Sequence, residues 1–232
     1  MQASSPLKNN YTLMKKSYVF LLCLCLLLSS CTLVLKGLAR AVVKDYDNHT
    51  HVDLSDVQLT DKDGKQRSFG ELFAGKVVYL YIWRDSNKMP PNNKDKKYKA
   101  LKERFAKYPD VVFADLSVCN DCNNLSDSYR LVTDNSSCEF CSILNISDAA
   151  PFIIGKDGKI LAFKGPKPSD DLLVDYVLYQ ARNNINGTES SRKLISGVNK
   201  NSRFKTRRLR EWYVNHFNQD PDSFTFSFSS TK

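Results

Sequence analysis

Four cysteines outside the leader carry most of the chemistry this chain could perform. Cys119, Cys122, Cys138 and Cys141 form two Cys-x-x-Cys pairs with fifteen residues between them. In an oxidising compartment such pairs close structural disulfides, and four cysteines allow three connectivities. Four thiolates at this spacing also suit a closed tetrahedral zinc site. Each pair taken alone has the form of a redox dithiol. Ser136 and Glu139 stand at capping-box spacing, so Cys138 and Cys141 fall in the first turn of a short helix predicted to run to about Leu144. A helix N-terminus favours a thiolate, whereas the neighbouring Glu139 carboxylate opposes it. The intervening segment is polar and poor in core residues, which suits a staple. The three readings stay open: disulfides, a structural zinc on all four sulfurs, or a redox centre at Cys138/Cys141 or Cys119/Cys122.

The compartment is legible in the leader. Lys15 and Lys16 precede an apolar run from Tyr18 to Leu28, and Leu28-Ser29-Ser30-Cys31 follows. Positive, apolar and small residues in that order predict a secretory signal over residues 1–31, with Met14 as its expected start. The final tetrapeptide resembles the bacterial lipobox, which makes Cys31 the lipidated N-terminus of the mature chain. The alternative is a signal anchor, since apolar character continues to Leu35. Either way the folded part lies outside the cytoplasm and on a membrane. Thr32 stands where an aspartate would retain a lipoprotein at the inner membrane, so the outer membrane is expected.

The formal charge of +9 is partly the leader's. Residues 191–210 hold Arg192, Lys193, Lys200, Arg203, Lys205, Arg207, Arg208 and Arg210 and no acid. A basic surface attracts anions. On an envelope protein these are lipid head groups or lipopolysaccharide rather than nucleic acid.

The elements that must position the cysteines follow. Residues 32–51 read as a polar linker. Val57–Thr60 and Arg67–Phe69 form a hairpin around Asp61-Lys62-Asp63-Gly64-Lys65. Val77–Trp83 is a near-continuous apolar run, as in a strand buried on both faces. A helix is predicted over about 92–107, with Tyr98, Leu101 and Phe105 on one face, and Val111–Val118 is a second strand parallel to the first. Ala150-Pro151-Phe152-Ile153-Ile154 and Ile160–Phe163 form a hairpin across Gly155–Lys159. Ser169 is the expected N-cap of a helix to about Arg182. The lone histidines, His49, His51 and His216, read as surface residues.

This order resembles the TlpA-like branch of the thioredoxin superfamily over roughly residues 52–185. The resemblance rests on G-K-V-V-Y-L-Y-I-W, V-V-F-A-D-L-S and A-P-F-I-I-G-K-D-G-K-I taken in sequence. It implies an α/β, thioredoxin-like fold over 52–187: a central mixed sheet flanked by helices, with a Cys-rich insertion and a C-terminal extension over 188–232. It implies a cis peptide before Pro151, facing the active site. It also implies a Cys-x-x-Cys shortly after Trp83, where this chain has Asn87 and Pro90. Neither residue does thiol chemistry.

The expected function is therefore that of a membrane-anchored, exported thioredoxin-like protein that binds or scaffolds through a degenerate site, with no cofactor. The alternative is a thiol-disulfide oxidoreductase using the relocated cysteine pairs. The loop Arg84–Lys88 reads as a solvated loop or as a surface holding an envelope protein or peptide, and the basic stretch 88–98 favours an acidic one. In the tail, Phe204, Leu209, Trp212, Tyr213 and Phe217 alternate with basic residues, which suits a helix lying on a membrane or packed on the domain. Ser223–Ser229 has strand periodicity.

Overall fold

In the computed structural model, Val77–Trp83 forms strand β3, the centre of the sheet. It pairs in parallel with β4 (Val111–Ser117), from Val77 opposite Val111 to Trp83 opposite Ser117. On its other side it pairs antiparallel with β6 (Ala150–Ile154). Both edges and both faces are thus covered, which is why its sequence is apolar without alternation. The structure describes residues 43–61, 63–83, 95–118, 129–132, 139–145, 150–199 and 203–221, without the side chains of Lys44, Trp83 and Asn145. The chain divides into residues 1–39 and 40–232, and the described residues belong to the second unit.

Four shorter strands complete the sheet: β1 (Gln58–Thr60), β2 (Gln66–Ser68), β5 (Tyr129–Leu131) and β7 (Ile160–Ala162). The order is β2-β1-β5-β4-β3-β6-β7, with parallel and antiparallel pairs. The helices are α1 (Phe69–Phe73), α2 (Lys96–Phe105), α3 (Glu139–Asn145), α4 (Leu173–Ala181), α5 (Gly187–Gly197) and α6 (Arg207–Phe217). Strand β3, helix α2, parallel strand β4, antiparallel hairpin β6–β7 and helix α4 give the α/β, thioredoxin-like order that the sequence motifs imply.

The two faces of the sheet differ. On one, Val78, Leu80 and Ile82 join Leu116, Phe152 and Ile154 with Phe69 and Phe73 of α1 and Phe140, Ile143 and Leu144 of α3 in a hydrophobic core. On the other, Tyr79 and Phe113 meet Tyr98 and Phe105 of α2 at ring separations of 5.4 to 6.3 Å. The Tyr79 hydroxyl, fully buried, donates to the Pro166 carbonyl at 2.9 Å.

Local signals fix several boundaries. Ser68 and Glu71 form a reciprocal capping box on α1. Asp95 caps α2 by accepting from the Lys97 and Tyr98 amides, so the helix is shorter at both ends than the 92–107 expected. Gly158 turns the β6–β7 hairpin at φ +79°, and a Cβ there would stand 2.3 Å from Ser55 Oγ. Helix α4 begins at Leu173 rather than at Ser169. The Asp170 carboxylate accepts from the Lys167 amide at 2.7 Å, closing a separate turn before the helix.

The polar linker differs from expectation, and the extension takes the domain-packed alternative. Within residues 43–51, Val43 and Tyr46 are buried, and the Tyr46 carbonyl accepts from the Phe163 amide. Thr188 of α5 donates to the Val43 carbonyl at 3.0 Å. Small residues permit this approach: a Cβ on Gly187 would lie 2.7 Å from Ala162 Cβ. Helix α6 turns Leu209, Trp212, Tyr213 and His216 inward, so its apolar face lies against the domain. The Ser223–Ser229 segment lies outside the described residues. Among the described residues no helix is long and apolar enough to cross a membrane.

Candidate functional site

Three strand ends meet at one edge of the sheet. Trp83 closes β3 opposite Ser117, which closes β4, and Pro151 near the start of β6 lies opposite Tyr81. Parallel strands bring their carboxyl ends to the same edge, where open α/β sheets bind ligands. The residues that leave this edge after Trp83 include Asn87 and Pro90, and those that leave it after Val118 begin with Cys119. Asn87, Pro90, Cys119, Cys122 and Cys138, like Cys31, lie outside the described residues.

Pro151 corrects one expectation. No peptide bond among the described residues is cis, so Ala150–Pro151 is trans. Pro151 runs within the β6 ladder, buried, and its carbonyl accepts from the Gly165 amide at 2.7 Å. A trans bond is the default for an X-Pro pair.

The groups beside Pro151 are phenols and carboxylates. Tyr81 is half-buried opposite both Pro151 and Asp115. Burial first, then the charges of Asp95 and Asp115, raise its hydroxyl above the usual phenol range. Burial, with Asp115 next, pushes Tyr98 up in the same way, and Tyr98 Oη donates to Asp115 Oδ1 at 3.4 Å. Tyr98 thus spends its proton on Asp115, whereas the half-buried Tyr81 phenol is a hydrogen-bond donor fitted to hold a polar partner rather than to attack one.

Cys141 is half-buried in α3 and is disulfide-bonded. Its partner lies outside the described residues. Phe140, Ile143 and Leu144 on the same short helix are core residues, so the Cys141 end of the bond sits on a packed helix. A sulfur in a disulfide is no thiolate ligand, and the four-sulfur zinc site would require that bond to be reduced. Among the described residues no group of three or more His, Cys, Asp or Glu is placed to hold a metal ion.

A second constellation lies under α6. Arg104 of α2 donates to Asp175 of α4 through Nε at 2.6 Å and Nη2 at 2.8 Å. His216 Nε2 lies 2.7 Å from Asp175 Oδ1, and its Nδ1 lies 3.2 Å from the Tyr108 hydroxyl. Nε2 donates to the carboxylate, and in a neutral ring Nδ1 then accepts from Tyr108. Burial raises the Asp175 carboxyl, but hydrogen bonds from His216 and Arg104 outweigh it and hold the group below its ordinary value. Lys107 donates to the carbonyls of Asn215 and His216 at 2.6 and 2.7 Å, where the end of α6 favours a cation. The Asp175 and His216 side chains are 0% exposed, so this chain of groups clamps α6 to α2 and α4 and meets no ligand. His216 is therefore a buried residue rather than a surface one. Its sequence signal was the i, i+3, i+4, i+7 spacing of Leu209, Trp212, Tyr213 and His216. Of the other two, His51 is exposed against Glu139, and His49 packs edge-on against Phe163.

No family model matches the sequence, and no curated protein matches it. Solved structures with similar folds include a protein from Bacteroides vulgatus assigned as a thiol-disulfide oxidoreductase, at 22% identity, 49% of this chain, 78% of that one and TM-score 0.36. An uncharacterized thioredoxin-like protein from Bacteroides vulgatus matches at 19% identity, 57% and 88% coverage and TM-score 0.38. A member of the Sco family of cytochrome c oxidase assembly proteins matches at 18% identity, 60% and 97% coverage and TM-score 0.39. These are distant likenesses, and what those proteins do does not transfer to this chain.

Proposed function

We propose that this chain is an exported, lipid-anchored protein whose thioredoxin-like domain binds a protein or peptide at the edge formed by Trp83, Ser117 and Pro151, without thiol exchange at the usual position. One observation carries the reading. The strand ends that frame a dithiol site converge, while Asn87 and Pro90 stand where the two sulfurs would be. An extended segment can be held at such an edge by backbone hydrogen bonds alone, and the protonated, half-buried Tyr81 hydroxyl supplies a further donor. Anchoring rests on the Leu28–Cys31 tetrapeptide, and the disulfide at Cys141 suits an oxidising compartment. Outer-membrane attachment rests on Thr32.

A second reading is an oxidoreductase built on the Cys119/Cys122 or Cys138/Cys141 pair. It is favoured by the half-buried rather than fully buried position of Cys141. Dithiothreitol-driven insulin reduction by the full chain separates the two. The binding reading expects a rate at the uncatalysed background. A rate comparable to an intact thioredoxin establishes the oxidoreductase, and its loss in Cys141→Ser or in Cys119→Ser assigns the pair.

A further inference from the structure

A cavity of about 730 Å³ opens between α4, α5 and α6, within the ~300–1,000 Å³ range of small-molecule sites. It shares no residue with the strand edge described above. Its floor is aromatic. Trp212 stands edge-on to Tyr176, with ring centres 4.7 Å apart and planes at 79°, and 6.1 Å from Tyr179. Trp212 and Tyr176 are buried, so the floor exists before anything binds.

The rim is cationic. Lys193, Lys205 and Arg208 line it, against one carboxylate, Glu211. Arg207 Nε holds Glu211 at 2.5 Å, and Glu189 holds Lys193 at 3.3 Å. Among the described residues Lys205 and Arg208 have no ion-pair partner. Arg208 also lies near the floor: burial raises the Tyr176 hydroxyl, and the Arg208 charge partly offsets that rise. Helix α5 closes one end through Ser196 and Gly197, and the side-chain amides of Gln180 and Asn183 add donors and acceptors.

An aromatic floor favours a planar or apolar body, and two unengaged cations at its mouth favour an anion. We propose that this cavity binds a small organic anion, an aromatic or apolar body bearing a phosphate or carboxylate, with the body on Trp212 and Tyr176 and the anion between Lys205 and Arg208. A charged surface alone would attract anions without regard to the body they carry. A site of the proposed kind requires body and charge on one molecule.

Calorimetric titration of the full chain tests this with four probes. Phenyl phosphate and phenylacetate carry ring and anion, inorganic phosphate carries the anion alone, and benzyl alcohol carries the ring alone. Saturable binding is expected for phenyl phosphate, phenylacetate or both, which also distinguishes a phosphate ligand from a carboxylate one. Inorganic phosphate and benzyl alcohol are expected to bind at least about tenfold more weakly. The Lys205→Gln/Arg208→Gln double variant should weaken the ring anions by about tenfold or more, whereas Arg203→Gln, an exposed cation outside the lining, should not. Absence of saturable binding at millimolar probe overturns the proposal. So does inorganic phosphate binding as tightly as the ring anions, or unchanged binding by the double variant. Should the double variant lose its fold, the four-probe comparison on the native chain decides alone.

Discussion

The two faces of the central sheet are built on different physics. Val78, Leu80, Ile82, Leu116 and Phe152 make one face aliphatic and aromatic. The opposite face carries Tyr79, Phe113 and Tyr98. Farther out come Arg104, Asp175, His216 and Tyr108, where hydroxyls, a carboxylate and an imidazole are paired under α6. The first face is stabilised by burial alone and tolerates volume-conserving change. The second depends on every polar member finding its partner. The extra C-terminal helix buries Leu209, Trp212 and Tyr213 and is also held through the polar face, so apolar burial is joined there by geometrically specific pairing.

Substitutions can break that contrast. Asp175→Ala should have the largest effect, about 3–5 kcal/mol, because it leaves the buried His216 and largely buried Arg104 without their carboxylate. Denaturant unfolding measures it, and cleavage within α6 by a protease should accelerate. On the aliphatic face, Leu80→Ala should cost about 2–5 kcal/mol through a cavity, with α6 still protected. Equal exposure of α6 in both variants would show that the two faces do not differ as described. Tyr79→Phe removes one buried hydrogen bond to Pro166 and should cost about 1 kcal/mol. Lys97→Ala removes a solvent-exposed ion pair with Asp171 and should change stability by less than ~1 kcal/mol.

Acid sharpens the same contrast. The Asp175 carboxyl sits below its ordinary value of 3.8 in the folded chain. Its contribution is therefore present above that value and is lost as pH falls through the lower, folded one. Asp175→Asn should be less stable than the native chain near neutral pH and should lose less stability over the same acid window. Parallel pH profiles for the two proteins would remove Asp175 from the acid response.

The aliphatic face was legible in the sequence because burial on two sides leaves a run of apolar residues with nothing to interpret. The β6–β7 hairpin was legible for a similar reason, since Gly155–Lys159 is local turn chemistry. The polar face was not. Asp175 and Arg104 are 71 residues apart, and Asp175 and His216 are 41 apart, so each reads alone as an ordinary surface group. Val43 and Tyr46 looked like linker because their partners, Thr188 and Phe163, come late in the chain. At the strand edge, the convergence of Trp83, Ser117 and Pro151 followed from strand order. The trans bond before Pro151 depended on the ladder that the strand joins.

The proposed work of the strand edge is binding rather than thiol exchange, with the Cys141 disulfide seated on a packed helix. Titrating the native full chain across graded dithiothreitol potentials, with thiol trapping and intact mass, tests it most directly. The Cys141 disulfide is expected to persist at thioredoxin-like potentials of about −270 mV and to be reduced only once the protein unfolds. A native-state couple titrating near that potential, and abolished by Cys141→Ser, would contradict it.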